Sequence, residues 1–264
     1  MKNLLFPALR SNPKVVSRAA RQKQIPGSNP ILILQLGLWL ALPILAQEPA
    51  SGAGHLFILS GQSNMTANLE QGFRQKVEAK YGAENVTIVR SMKSGRGIRF
   101  WVSDYGLPEG ATPATKDGKP SSNGEEYPKL LAAAKAAGDT AAFKSVTFVW
   151  MQGESDAMSG RADLYAPSFL RLRQRLMNDL GIKTMHVVIG RISDFGIKGE
   201  KAEGWRAMRE AQERLAKDLD HAAWVNTDDL NDVEGRPEGD LHYPKEASIV
   251  VGQRLAEKAI EMME

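Results

Sequence analysis

Short apolar runs that end in polar or glycine-bearing turns alternate with helical patterns. This beat constrains the fold more than any other feature of the chain. The runs cover 55–60, 85–91, 145–151, 184–190 and 222–227. They are rich in β-branched and apolar residues with little polar alternation, which is the pattern of parallel strands covered on both faces. Between them lie amphipathic stretches. Leu69 and Val77 follow the first run. Segment 127–137 stops at Gly138. Segment 162–180 carries Leu164, Phe169, Leu172, Leu176 and Leu180 on one side and stops at Gly181. Segments 201–219 and 245–262 show the same period, with Trp205, Met208 and Leu215 in one and Ile249, Leu255 and Ala259 in the other. Strands and helices in alternation predict an α/β chain: a three-layer α/β/α sandwich on a five-stranded parallel sheet. Only 92–124, rich in Gly, Ser, Pro and Lys, lacks a period, and a loop of that length inside a domain is usually functional.

The first 46 residues read differently. Residues 1–47 hold Lys2, Arg10, Lys14, Arg18, Arg21 and Lys23 and no acid, and 31–46 is an apolar run interrupted by Pro43. A basic region, a short apolar run and a small residue before Gln47 describe a secretory signal peptide. The run of 16 residues falls short of the roughly 20 that a membrane span needs, although an N-terminal anchor is the competing reading. The expected organisation is a signal peptide over 1–46, a linker over 47–54 and one α/β domain over 55–264. The product would be secreted or periplasmic, with no stable membrane insertion after cleavage. The formal charge of +3 belongs to the leader, because without those six cations 28 basic residues face 31 acidic ones. A slightly acidic body gives no footprint for nucleic acid. The chain has no cysteine, which excludes disulfides, thiolate nucleophiles and zinc–thiolate sites.

In open parallel sheets, ligands bind beyond the carboxyl ends of the strands, so the strand ends are where chemistry is expected. The first run ends in Gly61-Gln62-Ser63-Asn64. A serine there is either a nucleophile beside a helix N-terminus or that helix's cap. The second run leads to Ser94-Gly95-Arg96-Gly97, where a backbone N–H can approach a ligand closely. The third ends in Gln152-Gly153-Glu154, and the last leads to Asp240-Leu241-His242. A serine nucleophile, a histidine base and a carboxylate that orients the base make an acyl-transfer set. The N–H groups of Ser63 and Gly95 and the Gln152 amide would form an oxyanion hole. Of the 4 histidines, His186 reads as a satisfied core residue. His55 opens the first run at the wrong end, and His221 follows a helix end. His242 alone joins a late loop to a nearby acid. Asp228 and Asp229 also follow the fifth run and compete with Asp240, although turn formation is their usual work.

Four blocks resemble the SGNH hydrolase superfamily, in its sialate O-acetylesterase and acetylxylan esterase branch: Gly61-Gln62-Ser63-Asn64-Met65, Ser94 to Trp101, Trp150 to Asp156, and Asp240-Leu241-His242. The resemblance implies a flavodoxin-like fold and makes Ser63 the nucleophile, His242 the base and Asp240 the orienting acid. Gly95 and Gln152 would join Ser63 in the oxyanion hole, with Gln62, Asn64 and Glu154 as supporting residues and no metal or other cofactor. Two departures stand out. Ser94 and Arg96 occupy a run that is commonly Gly-Gly-Thr-like, and the acid precedes the histidine by two residues where three is common.

The function expected is an exported serine esterase that removes acetyl groups from a carbohydrate. The alternatives are an esterase for lipid or aryl esters and an inactive carbohydrate-binding relative. If the leader is read correctly, the exported protein should begin near Gln47 in intact-mass spectrometry. A mature chain that retains residues 1–46 would refute this.

Overall fold

The computed structural model describes residues 54–107, 122–232 and 240–264. The expected signal peptide, the linker up to residue 53 and the middle of the 92–124 segment lie outside the described residues. Five strands form one parallel sheet in the order β2-β1-β3-β4-β5. They are β1 (His55–Gly61), β2 (Val86–Met92), β3 (Ser145–Met151), β4 (His186–Gly190) and β5 (Ala222–Val225). The helices are α1 (Ala67–Tyr81), α2 (Tyr127–Lys135), α3 (Glu154–Met158), α4 (Ala162–Leu180), α5 (Ala202–Asp218) and α6 (Lys245–Glu261). The expected sandwich is therefore present, with strand bounds shifted by one or two residues.

Side chains alternate between the two faces of each strand, and here both faces are covered. Phe57, Leu59, Val149, Met151 and Val188 pack with Leu69, Phe73, Val251 and Leu255 of α1 and α6. Leu56, Ile58, Phe148, Trp150, Val187 and Ile189 pack with Leu130, Phe169, Leu172, Met208 and Leu215 of α2, α4 and α5. That double burial is why β1, β3 and β4 read as nearly unbroken apolar runs. Part of the segment expected to be irregular also joins the core. Ile98–Phe100 forms a 3₁₀ turn, and Trp101 sets its ring edge against Trp150 with centroids 5.2 Å apart.

Two further expectations are corrected. Ser63 does not cap α1: Thr66 does, its hydroxyl accepting from Leu69 N–H at 3.1 Å. Ser63 and Asn64 belong to the turn before the helix, which begins at Ala67. His186 is not a satisfied core residue. It is half-buried at the start of β4 with its ring edge-on to His221, and its Nδ1 has no partner among the described residues.

The helices α1 and α6 touch backbone to backbone. A Cβ added at Gly252 would lie 2.0 Å from the Leu69 carbonyl, and one at Gly72 would lie 2.0 Å from the Ile249 carbonyl. Overpacking of this kind costs about 1–3 kcal/mol, while alanine returns at most about 1 kcal/mol of helix propensity. Gly252→Ala should therefore lower the urea midpoint of unfolding at unchanged m-value. An unchanged or higher midpoint would contradict this packing.

Candidate active site

Strands β1, β2 and β3 end level. Gly61 pairs with Met92 on one side and Met151 on the other, and the ladder runs one step further through Gln62 N–H to Met151 O at 2.9 Å. The chain leaves β1 to one side for β2 and returns to the other for β3, so the strand order reverses between β1 and β3. That reversal is where α/β sheets place ligands. Ser63 follows β1 there and Gln152 follows β3.

The structure brings Ser63 and His242 together. His242 Nε2 lies 2.9 Å from Ser63 Oγ, within hydrogen-bond reach. The sequence separates them by 179 residues, so only the fold makes the pair. His242 is held from both sides. The carbonyl of Leu241 before it accepts from Asn64 Nδ2 at 3.1 Å. Tyr243 after it is buried, with its hydroxyl 2.6 Å from Thr227 Oγ1. Asp240 Oδ1 accepts from the backbone N–H of His242 at 3.3 Å. The rival acids lie elsewhere in ion pairs, Asp228 with Arg191 and Arg209 and Asp229 with Arg254. His55 donates to or accepts from Ser145 Oγ at 2.8 Å, at the opposite end of the sheet.

Below this pair lies a buried polar network. Gln62, Asn64, Gln152, Glu154 and Asp156 are all buried. Asn64 Nδ2 also donates to Glu154 Oε1 at 2.7 Å. Gln152 Nε2 faces three acceptors: Asp156 Oδ2 at 2.5 Å, and Gln62 Oε1 and Arg96 O at 3.2 Å each. Two N–H groups cannot serve all three fully, and the short contact to Asp156 takes one of them. The Gln152 carbonyl is fixed by Tyr165 Oη at 2.8 Å and Gln212 Nε2 at 2.9 Å. Asp156 also accepts from Ile98 N–H at 2.8 Å. Tyr165, Gln212 and Asp156 were not legible as site residues, because a helix pattern alone does not reveal which polar side chain turns inward.

Gly95 lies exposed in the turn after β2 at φ +67°, a backbone state that glycine adopts freely. Beside it opens a polar cleft of about 410 Å³, lined among others by Arg96, Arg99, Tyr105, Ser155 and Arg161. Arg96 pairs with Glu125 at 3.2 Å, and Arg99 donates to Ser122 and Asn123 at 3.0 Å. Both guanidinium groups lie over the Phe100 ring.

Burial is the largest influence on Glu154 and pushes its pKa above the ordinary 4.5, against the opposing hydrogen bond from Asn64. The folded protein thus holds this proton more tightly than the unfolded chain. Its favourable linkage is greatest below the unfolded value and fades as pH rises through the raised folded value. Glu154→Gln removes this titration, so its urea midpoint relative to the parent should improve from acid toward neutral pH. Parallel midpoint curves would refute that assignment.

The sequence model of one family, described as carbohydrate esterase, sialic acid-specific acetylesterase, matches residues 66–261. The matched span opens three residues after Ser63 and includes Gly95, Gln152, Asp240 and His242. No curated protein sequence matches the chain. Among solved structures, a protein from Arabidopsis thaliana shares 18% identity at a TM-score of 0.57, covering 79% of this chain and 98% of its own. A carbohydrate acetylesterase from Xanthomonas citri shares 18% identity at 0.56, over 78% of this chain and 56% of its own. The structure of NanS shares 13% at 0.54, over 81% of this chain and 98% of its own. At these identities the likeness is one of fold.

Proposed function

Because this chain belongs to the carbohydrate esterase family of sialic acid-specific acetylesterases, we propose that its acetylesterase reaction on carbohydrates runs through an acetyl-Ser63 intermediate. As a member of that family it is a carboxylic ester hydrolase. The observation that carries the mechanistic reading is the 2.9 Å contact between Ser63 Oγ and His242 Nε2. Nucleophile and base already stand within hydrogen-bond reach.

In the first half-reaction Ser63 Oγ attacks the acetyl carbonyl while His242 Nε2 takes its proton. The carbonyl oxygen gains charge and is received by the N–H groups of Ser63 and Gly95 and by the second N–H of Gln152. That N–H lies between two acceptors at 3.2 Å and is held only weakly by either. The carbon–oxygen bond to the sugar then breaks, and the imidazolium gives its proton to the departing hydroxyl. Water attacks the acetyl-enzyme in the second half, His242 again taking the proton, and acetate leaves. Asp240 serves as the orienting acid. Its contact with the His242 backbone supports this role by fixing the loop that carries the imidazole. Gln62, Asn64 and Glu154 support the loops from beneath.

The polar, arginine-lined cleft beside Gly95 favours a carbohydrate over a lipid, whose acyl chain would need an apolar groove. The Ser63–His242 contact favours a working enzyme over an inactive binding relative. We further propose that the enzyme acts outside the cytoplasm after loss of residues 1–46. Among the described residues no helix is long and apolar enough to cross a membrane.

Ser63→Ala should abolish release of p-nitrophenol from p-nitrophenyl acetate, by at least about 10³-fold, since removing a triad member leaves only the oxyanion hole and binding. The parent should also release acetate from acetylated glycans. Equal rates in parent and variant would overturn the mechanism.

A further inference from the structure

Asp156 lies in α3, buried, and the reaction as proposed makes no use of it. We infer that Asp156 is a positioning residue that sets both remote donors of the oxyanion hole through one oxygen atom. Its Oδ2 accepts from Gln152 Nε2 at 2.5 Å and from Ile98 N–H at 2.8 Å. The first bond aims the amide that follows β3. The second anchors the turn that presents Gly95. The inference rests on the oxyanion reading above.

A glutamine amide has nearly the same shape when its oxygen and nitrogen are exchanged, and only its partners decide which end faces where. Here the Gln152 backbone carbonyl is held by Tyr165 and Gln212, but its side-chain Oε1 has no partner among the described residues. Gln62 Oε1 and Arg96 O face the same nitrogen at 3.2 Å, and the carboxylate at 2.5 Å supplies the strongest part of the selection. It demands the NH₂ end, and so keeps a carbonyl oxygen from facing the developing oxyanion. The Gly95 turn is tied to the same atom. Gly97 has ordinary extended dihedrals (φ −70°, ψ 163°), so its glycine is not required by the backbone. It is required by space: a Cβ there would lie 2.9 Å from Asp156 Oδ1 and 3.2 Å from Oδ2. The turn closes onto the carboxylate only because position 97 has no side chain.

The test is steady-state hydrolysis of p-nitrophenyl acetate by the full chain carrying Asp156→Ala, Asp156→Asn or Gly97→Ala, with Ser63→Ala as the inactive reference. Rates are taken per folded protein from parallel melting curves. Loss of one oxyanion donor typically costs about 10²–10³ in kcat. Asp156→Ala should lower kcat by about 10²-fold with KM changed less than about threefold. Asp156→Asn should stay within about tenfold of the parent, because a single amide oxygen can still accept both N–H groups. Gly97→Ala should reproduce much of the Asp156→Ala defect by displacing the carboxylate. Added to Asp156→Ala it should cost less than about twofold more, since the group it strikes is gone. If Asp156→Ala does not fold, Gly97→Ala and Asp156→Asn carry the test. Parental kcat in Gly97→Ala, independent losses in the double variant, or a loss confined to KM or folded fraction would overturn the inference. Parental activity in Ser63→Ala would instead overturn the reading of the site itself.

Discussion

Three neighbouring parallel strands end at one height, and the rest of the site depends on that register. Gly61 stands opposite both Met92 and Met151. The ladder continues into the loops, with Gln62 N–H on Met151 O and Lys93 N–H on Gly61 O. Those bonds fix the first residue beyond β1 and beyond β2 before any side chain acts. A slip of one residue would reverse the faces of every strand side chain, moving Phe57 and Leu59 away from α1 and α6. Two buried faces forbid that slip, so the same apolar packing that stabilises the sheet also holds Ser63, Gly95 and Gln152 side by side.

Beneath the strand ends the core changes character. Buried polar groups must find partners or cost about 1–3 kcal/mol each, and five buried polar residues here are arranged to meet that demand mutually. Gln62 Oε1 accepts from Gln152 and from Ser155 N–H. Tyr165 and Gln212 converge on the Gln152 carbonyl. The satisfaction is incomplete, for Gln152 Oε1 and Glu154 Oε2 lack partners among the described residues. Burial also raises the pKa of both Glu154 and Asp156. Polar groups held at such cost commonly cluster where function requires them. Elsewhere Asp228 bridges Arg191 and Arg209, although Arg191 Nε also lacks a partner among the described residues.

Most of the fold was legible in the sequence because β1, β3 and β4 are buried on both faces, and buried strands announce themselves as unbroken apolar runs. The start of α1 was not. Thr66 and Ser63 are both good caps, and which one caps depends on how many residues the turn after β1 consumes. Ser63, Gly95, Gln152 and His242 could be found because each follows a strand or sits in a late loop. Ile98 and Trp101 were hidden inside a segment whose glycines and serines mask a core contribution. Asp156 was hidden for a different reason. Its partners, Ile98 N–H and the Gln152 amide, lie on separate loops, and only the closure of the sheet brings them to one carboxylate.

The short helix α3 joins these contributions. Glu154 and Asp156 are two residues apart and do not share a helix face in the way of three- or four-residue spacings. Their side chains therefore diverge, and each reaches a different part of the site. Glu154 grips Asn64, whose same amide nitrogen holds the Leu241 carbonyl, the residue before His242. Asp156 grips Gln152 and Ile98, and through them the strand-end amide and the Gly95 turn. One turn of helix thus ties the His242 loop on one side and the Gln152 and Gly95 loops on the other. Because α3 follows Gln152 and Gly153, β3 sets its place, and the level register of β1, β2 and β3 is passed to the His242 loop and the Gly95 turn through two carboxylates rather than through backbone alone.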